Sequence, residues 1–313
     1  MGACMSAEPL VSVVIPCFNA AATLGRAIAS VRRQSYGNTE IIAVDDGSRD
    51  ATPALLRAEA ERGVLVITQP NGGVPVARNS GMAAAHGEFI AFLDSDDEWH
   101  PDKLARQMQV LRAHPAMVLI GCWVDSVTPD GRRHKVNANR EPPQGREAWR
   151  TMLRHSFYNP TALVVRTETA RRIGGFVTTL QAGHEDQDFC IRIALEGEVG
   201  FVDAVLATMY DRPTSLSRTH FSREHETVLP MILGHCEALA PRLSRAELRT
   251  ILGARYTQIG RNVYVGAPGI GFRLLAKAIG YGAEPIGNLY YLLTAAPWSR
   301  RIKRALKLGG DWA

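Results

Sequence analysis

Between residues 11 and 124 short β-branched runs alternate with longer amphipathic stretches, and this alternation restricts the chain to a layered α/β unit. The runs 11–15, 41–44, 64–68, 89–93 and 117–123 have the length and composition of buried strands. Between them 22–33, 51–62, 76–85 and 103–113 read as helices. Asp50 with Thr52-Pro53 opens the second and Pro101-Asp102 the fourth, because a proline at a helix start gives up only an N–H that has no helical partner. Strands joined through helices return to the same end of the sheet and so run parallel. The expectation is an α/β fold with a doubly wound, mostly parallel sheet.

Further along, 128–147 carries Pro129, Asp130-Gly131, Pro142-Pro143 and Gly145 among basic residues and reads as a hairpin and loop bordering the site. A strand at 162–166, a short helix ending at Gly174-Gly175, a helix at 186–195 and strands near 199–202 and 206–210 follow. Beyond about Arg223 the pattern is wholly helical. The predicted division is a catalytic domain over 1–222 and a C-terminal helical appendage over 223–313, which suits a chain of 313 residues, 46% of them hydrophobic.

The formal net charge is only +5, with carboxylates gathered at 94–102 and 184–188 and Arg and Lys crowding the last turns; that is not the basic stripe of a nucleic-acid binder. Five cysteines without a Cys-x-x-Cys pair point away from a disulfide framework or zinc knuckle and toward a reducing compartment. The longest apolar run, 117–124, falls far short of the ~20 residues a membrane span needs, and the N-terminus lacks a signal-peptide pattern. A cytoplasmic location is expected.

In open α/β sheets ligands bind beyond the carboxyl ends of the strands, and here those ends are polar. The second strand runs into Asp45-Asp46-Gly47-Ser48 and the fourth into Asp94-Ser95-Asp96-Asp97. Converging carboxylates repel unless a cation is present, and an Asp-x-Asp offers the hard oxygens that Mg²⁺ or Mn²⁺ prefers, with phosphate oxygens completing the shell. Asp-rich loops also serve as turns and caps, so the position after an apolar strand carries this reading. Between the two loops, Asn71-Gly72-Gly73-Val74-Pro75-Val76-Ala77-Arg78-Asn79 allows close backbone approach at its glycines, and Arg78 is placed to reach out of the first helical turn toward a phosphate. Neither Gly-x-Gly-x-x-Gly nor Gly-x-x-x-x-Gly-Lys-Ser/Thr occurs.

Taken in order, Val13-Val14-Ile15-Pro16-Cys17-Phe18-Asn19, Glu40-Ile41-Ile42-Ala43-Val44-Asp45-Asp46-Gly47-Ser48, the 71–79 run and Phe92-Leu93-Asp94-Ser95-Asp96-Asp97 closely resemble the family-2 glycosyltransferases. The resemblance covers roughly residues 9–218. It implies a GT-A fold, a nucleotide-diphosphate sugar (a UDP-sugar by family weighting), a divalent Mn²⁺ or Mg²⁺, and inversion at the anomeric carbon. Carried over, it places Pro16 and Asn19 in the nucleotide pocket with Asn71 and Gly73, Asp46 against the uracil N–H, Arg78 on the nucleotide and Asp94 at the ribose. Asp96 is the expected metal ligand, with Asp97 kept beside it because the doubled Asp leaves the register open by one position. His184-Glu185-Asp186-Gln187-Asp188 is similar to the family's Glu-Asp motif and makes Asp186 the expected catalytic base; Glu185 and Asp188 are offered only as helix caps. His220 is a further, weaker candidate near the metal. Processive members carry Gln-x-x-Arg-Trp, which this chain lacks, so transfer of a single sugar is expected.

At the C-terminus Trp298, Ile302, Ala305 and Leu306 share one helical face and Arg300, Lys303, Arg304 and Lys307 the other. Such a helix can lie on an anionic membrane surface, suiting a glycan or lipid-linked sugar acceptor at the inner face, or it can pack on the catalytic domain. Two other readings of the whole chain are a catalytically inactive nucleotide-sugar-binding scaffold and a nucleotidyltransferase. Pro16-Cys17-Phe18-Asn19 stands where a nucleotidyltransferase has its glycine- and Arg/Lys-rich loop.

Overall fold

The computed structural model of the protein describes residues 8–180, 184–211, 224–285 and 287–288. They divide into two compact units, one formed by the described residues within 1–152 and 157–213 and the other by those within 153–156 and 214–313. The first unit opens with β1 (Val11–Cys17), α1 (Leu24–Arg32), β2 (Thr39–Asp45), α2 (Thr52–Ala60), β3 (Leu65–Thr68), α3 (Val74–Ala84) and β4 (Phe89–Phe92), the alternation expected from the sequence. There follow β5 (Glu98–Trp99), α4 (Lys103–Ala113), β6 (Met117–Val127), β7 (Arg133–Lys135), α5 (Ala148–Arg154), β8 (Val164–Arg166), α6 (Thr167–Arg172), α7 (Glu185–Ala194) and β9 (Glu198–Tyr210).

The sheet order is β3-β2-β1-β4-β8-β6-β9-β5, with β7 paired to β6. Its first four strands are parallel, in the register Val14↔Ile42 and Val14↔Phe92. Beyond β4 antiparallel pairings join the parallel ones. β8 inserts antiparallel to both β4 and β6, β5 is antiparallel to β9, and β6 with β9 is parallel. The stretches expected as two strands near 199–202 and 206–210 are one strand, β9, which keeps pairing with β6 through register shifts around Trp123. A bulge absorbs extra residues without ending the strand.

Side chains alternate across a strand, so β1 is buried on both faces only if both are covered. Val11, Val13, Ile15 and Cys17 pack into one core with Leu24 and Ile28 of α1, Leu56 of α2 and Leu104 and Leu111 of α4. Val14 faces the opposite layer, where α3 lies so close that a Cβ on Gly81 would come within 2.4 Å of Val14 Cγ1. On that face Phe92 stands edge-on to Phe176 and Phe189, which stack on each other at 4.1 Å. Helices on both faces make the unit doubly wound.

The second unit contains α8 (Glu224–Ala238), α9 (Arg245–Gly266) and α10 (Pro268–Gly280). Ser244 and Glu247 form a reciprocal capping box that starts α9, and Gly271 of α10 sits against Tyr264 of α9 where a Cβ would meet backbone at 2.5 Å. No described helix is long and apolar enough to cross a membrane. His220 and the basic C-terminal helix over 298–307 lie outside the described residues.

Candidate active site

The parallel strands β1, β2 and β4 end side by side, and the loops leaving them hold most of the residues singled out in the sequence. Pro16 lies within β1, opposite Val44 of β2. Asn19 follows at φ 50°, a left-handed conformation that Asn tolerates better than most residues. Its N–H donates to Ser48 Oγ at 2.9 Å and its Oδ1 accepts the Arg49 N–H at 2.8 Å, so Asn19 ties the β1 loop to the β2 loop. Asp45 closes β2 and accepts the Ser48 N–H at 3.0 Å.

Asp46 is buried, and its carboxylate gathers the next loop. Oδ1 accepts from Gln69 Nε2 at 2.7 Å and the Gly72 N–H at 2.9 Å, Oδ2 accepts the Gly73 N–H at 2.8 Å, and Asn71 Nδ2 donates to the Asp46 carbonyl at 3.0 Å. Two glycines make this approach possible. Gly47, at φ 76°, has Asn71 N 2.9 Å from where a Cβ would stand, and Gly73 enters α3 at φ 89°. A carboxylate offers about four acceptor positions, so three bonds leave room for one more donor.

Arg78 departs from its expected direction. It sits in the second turn of α3, not the first, and its side chain turns inward, leaving the residue 3% exposed. One terminal nitrogen reaches Asp94 Oδ1 and the other Glu185 Oε1, each at 2.8 Å, with the guanidinium 5.3 Å from the Phe176 ring centroid. Burial disfavours its charge, but Asp94 and Glu185 outweigh that and hold it firmly protonated. The tight seat of Gly81 on β1 fixes the rotation of α3 that aims Arg78 this way. Both terminal nitrogens are thus engaged by protein carboxylates.

The 94–97 loop is a closed turn in which the Asp97 N–H donates to the Asp94 carbonyl at 3.0 Å. Asp97 is 4% exposed and accepts the Thr161 hydroxyl at 2.6 Å. Burial, then Asp94 and Asp96, push its carboxyl well above the usual range. Asp96 keeps partial exposure, and its carbonyl accepts from Arg26 at 2.6 Å. Of the two metal candidates, Asp96 is therefore the more accessible. Among the described residues no three His, Cys, Asp or Glu side chains converge as a ready metal cage. A cation held by one or two carboxylates and completed by substrate phosphates needs no such cage, so this donor set fits one.

Asp186 lies in the first turn of α7 and accepts the Gln187 N–H at 2.6 Å. Burial and the neighbouring Glu185 push its carboxyl up to about 8, with Arg78 pulling the other way. Glu185 and Asp188 are not caps. Glu185 pairs with Arg78, and Asp188 pairs with Arg192, which also donates to the carbonyls of Ile173 and Gly175. The reading of the sequence missed Gln69, Thr161 and the pairing of Glu185, none of which has a local motif. Phe18, 50% exposed between Pro16 and Asn19, had one available signal, an aromatic residue where a strand meets a polar loop.

The sequence profile described as Glycosyl transferase family 2 matches residues 12–174. The succinoglycan biosynthesis protein ExoO of Rhizobium meliloti (strain 1021) is 40% identical over 134 residues, which are 42% of this chain and 38% of ExoO, so this chain matches well under half of that relative. The amylovoran biosynthesis glycosyltransferase AmsB of Erwinia amylovora is 28% identical over 268 residues, 80% of this chain and 86% of AmsB. Two solved structures share the architecture. S. aureus TarS 1–349 in complex with UDP-GlcNAc gives a TM-score of 0.57 at 16% identity, covering 97% of this chain and 93% of TarS. The mannosyltransferase PcManGT from Pyrobaculum calidifontis, in complex with GDP-Man and Mn²⁺, gives 0.57 at 20% identity, covering 95% and 84%. With the profile spanning more than half of the sequence and the strand-end loops arranged as described, the chain is a glycosyltransferase of family 2 with the GT-A fold.

Proposed function

We propose that this enzyme transfers a single sugar from a nucleotide-diphosphate donor, a UDP-sugar, to an acceptor hydroxyl with inversion at the anomeric carbon, in assembly of a cell-surface polysaccharide or glycolipid. The observation that carries the proposal is the ion-pair chain Asp94–Arg78–Glu185, which ties the loop after β4 to the first turn of α7 and so sets Asp186 beside the strand ends. The names of ExoO and AmsB, in succinoglycan and amylovoran biosynthesis, support a polysaccharide setting.

In this reading the fourth acceptor position of Asp46 takes the base N–H, the exposed Phe18 ring offers a stacking face, and Asp94 meets the ribose. Pro16, Asn19, Asn71 and Gly73 shape the pocket around them. Asp96 would hold a Mn²⁺ or Mg²⁺, which would offset charge on the diphosphate. Asp186 accepts the acceptor hydroxyl's proton while that oxygen bonds to the anomeric carbon, and the bond to the diphosphate breaks with its electron pair leaving on phosphate oxygen. One displacement inverts the centre. A base whose proton affinity lies near working pH suits this step. The catalytic domain is assigned to 1–222 and the helical region to 223–313, with the basic, amphipathically patterned sequence over 298–307 holding the enzyme peripherally at an anionic inner membrane face. Liposome co-sedimentation of the full chain against one ending near residue 296 tests that last point, and equal binding removes it.

The deciding experiment presents purified protein with UDP-, GDP- and dTDP-sugars, with and without Mn²⁺, and follows nucleotide release and product length. Metal-dependent release from one donor, lost in Asp96→Ala, supports the reading. Donor binding without turnover over any acceptor favours a scaffold instead, and long polymer from one donor overturns single-sugar transfer.

A further inference from the structure

Two residues of the Asp94–Asp97 turn, Asp97 through its carboxylate and Asp94 through its backbone N–H, are held by one hydroxyl from elsewhere in the chain. Thr161 is fully buried in a one-turn helix, Pro160–Ala162, that leads into β8. Its Oγ1 donates to Asp97 Oδ2 at 2.6 Å and accepts the Asp94 N–H at 3.3 Å, so one oxygen grips both ends of the turn. A hydroxyl has one proton and two lone pairs, and this geometry uses the proton and one pair in a fixed order.

Thr161 is itself fixed on three sides. Its N–H donates to Asn159 Oδ1 at 2.9 Å, and its carbonyl accepts Trp99 Nε1 at 2.9 Å. The next carbonyl, Ala162, accepts Gln107 Nε2 at 2.8 Å, and Gln107 Oε1 in turn accepts from the buried Lys103 Nζ at 2.8 Å. Such a chain is rigid because Thr161, Trp99, Gln107 and Lys103 are buried and each has its partner, with Asn159 half-buried at its edge. It is also far more elaborate than a four-residue turn already closed by its own backbone bond requires.

We propose that Thr161 is a positioning residue for donor binding: by holding the buried Asp97 carboxylate, it determines that Asp96, not Asp97, is the carboxylate of this turn presented to the divalent cation and diphosphate. The inference rests on the metal-assisted reading proposed for the enzyme. With Thr161 unable to donate, Asp97 keeps only its bond from the Tyr210 backbone and the turn loses its tie to the Pro160–Ala162 helix, so the geometry at Asp96 is no longer fixed.

The test measures Mn²⁺ binding to the full chain by the electron paramagnetic resonance signal of free Mn²⁺. Saturating UDP is present, and wild type, Thr161→Val and Thr161→Ser are compared, with donor KM and kcat measured in parallel. Removing a buried donor typically corresponds to about a tenfold change. Thr161→Val is expected to weaken Mn²⁺ about tenfold and to raise donor KM more than it lowers kcat, while Thr161→Ser restores both. Unchanged Mn²⁺ affinity in a folded Thr161→Val, even with a lowered melting temperature, overturns the proposal and leaves Thr161 a packing residue. Should Thr161→Val fail to fold, Asn159→Ala decides, since it frees only the Thr161 N–H: a weakening of about threefold is expected from a lost hydrogen bond, and no change refutes the idea. Wild-type protein that binds no Mn²⁺ with nucleotide ends the metal reading itself, and this inference with it.

Discussion

Replacing Asp186 with Asn is expected to make the protein less active and more stable, and the second effect should depend on pH in a way fixed by the site. Burial and Glu185 raise the Asp186 carboxyl from 3.8 to about 8. A raised acid binds its proton more tightly folded than unfolded, so its contribution to stability is fully present below about pH 4 and is lost as pH rises through about 8. The shift of about four units corresponds to roughly 6 kcal/mol if Asp186 carried all of it unscreened. Its side chain keeps some exposure and Glu185 shares the site, so the expected gap is smaller, on the order of 2 kcal/mol. Asn keeps an oxygen for the Gln187 N–H and does not titrate. Urea unfolding followed by tryptophan fluorescence at pH 5, 6.5 and 8.5 should show the variant gaining on wild type as pH rises, while transfer activity falls by about 10² to 10⁴. A stability difference that is flat with pH, or that shrinks toward alkaline pH, would refute the account of Asp186 as a destabilised ion.

Three further outcomes follow from neighbouring contacts. Arg78→Met leaves Asp94 and Glu185 without their cation and should destabilise the fold by about 3 to 5 kcal/mol in urea melts; a change below 1 kcal/mol would mean the ion pairs are incidental. Asp96→Asn should weaken Mn²⁺ activation with little change in melting temperature, whereas Asp97→Asn should mainly alter stability; the reverse pattern would exchange their roles. Burial lowers the Lys103 ammonium from 10.5 to about 8, so the unfolded state holds that proton longer and wild-type stability should rise between pH 8 and 10.5. Lys103→Met should lack that rise when the two are compared by thermal melts across the window.

The parallel half of the sheet was legible because β1, β4 and most of β2 are buried on both faces and therefore read as continuous apolar runs, with proline and aspartate marking where helices begin. The order beyond β4 was not. β8 offers only Val164–Arg166 to its neighbours, and nothing local says that so short a strand inserts antiparallel between β4 and β6. β5 is two residues long and exists only because Glu98 and Trp99 find Thr208 and Ala207 of β9. At the site the sequence marked the carboxylates but not their partners, since Asp97–Thr161 and Arg78–Glu185 are separated by 64 and 107 positions. The direction of Arg78 was misread for a related reason. A side chain in the second turn of a helix can face outward or inward according to the helix's rotation, and here a close contact between Gly81 and Val14 sets that rotation.

The arrangement around Arg78 also explains why a base of unusual proton affinity sits there. Asp94, Glu185 and Asp186 face one guanidinium, so with all three ionised the group carries two uncompensated negative charges in a largely apolar surrounding of Phe92, Phe176 and Phe189. Asp94 and Glu185 each hold a direct 2.8 Å contact to Arg78, whereas Asp186 accepts the Gln187 N–H. Burial first and then this repulsion raise the proton affinity of Asp186, the group without a direct contact to Arg78. An acceptor hydroxyl brought against Asp186 meets a carboxylate that gains more from taking a proton than an exposed one would. Removing Glu185's charge should lower that affinity: Glu185→Gln is expected to move the acidic limb of the kcat/KM profile below about pH 8, and a limb that stays in place would mean burial alone sets it.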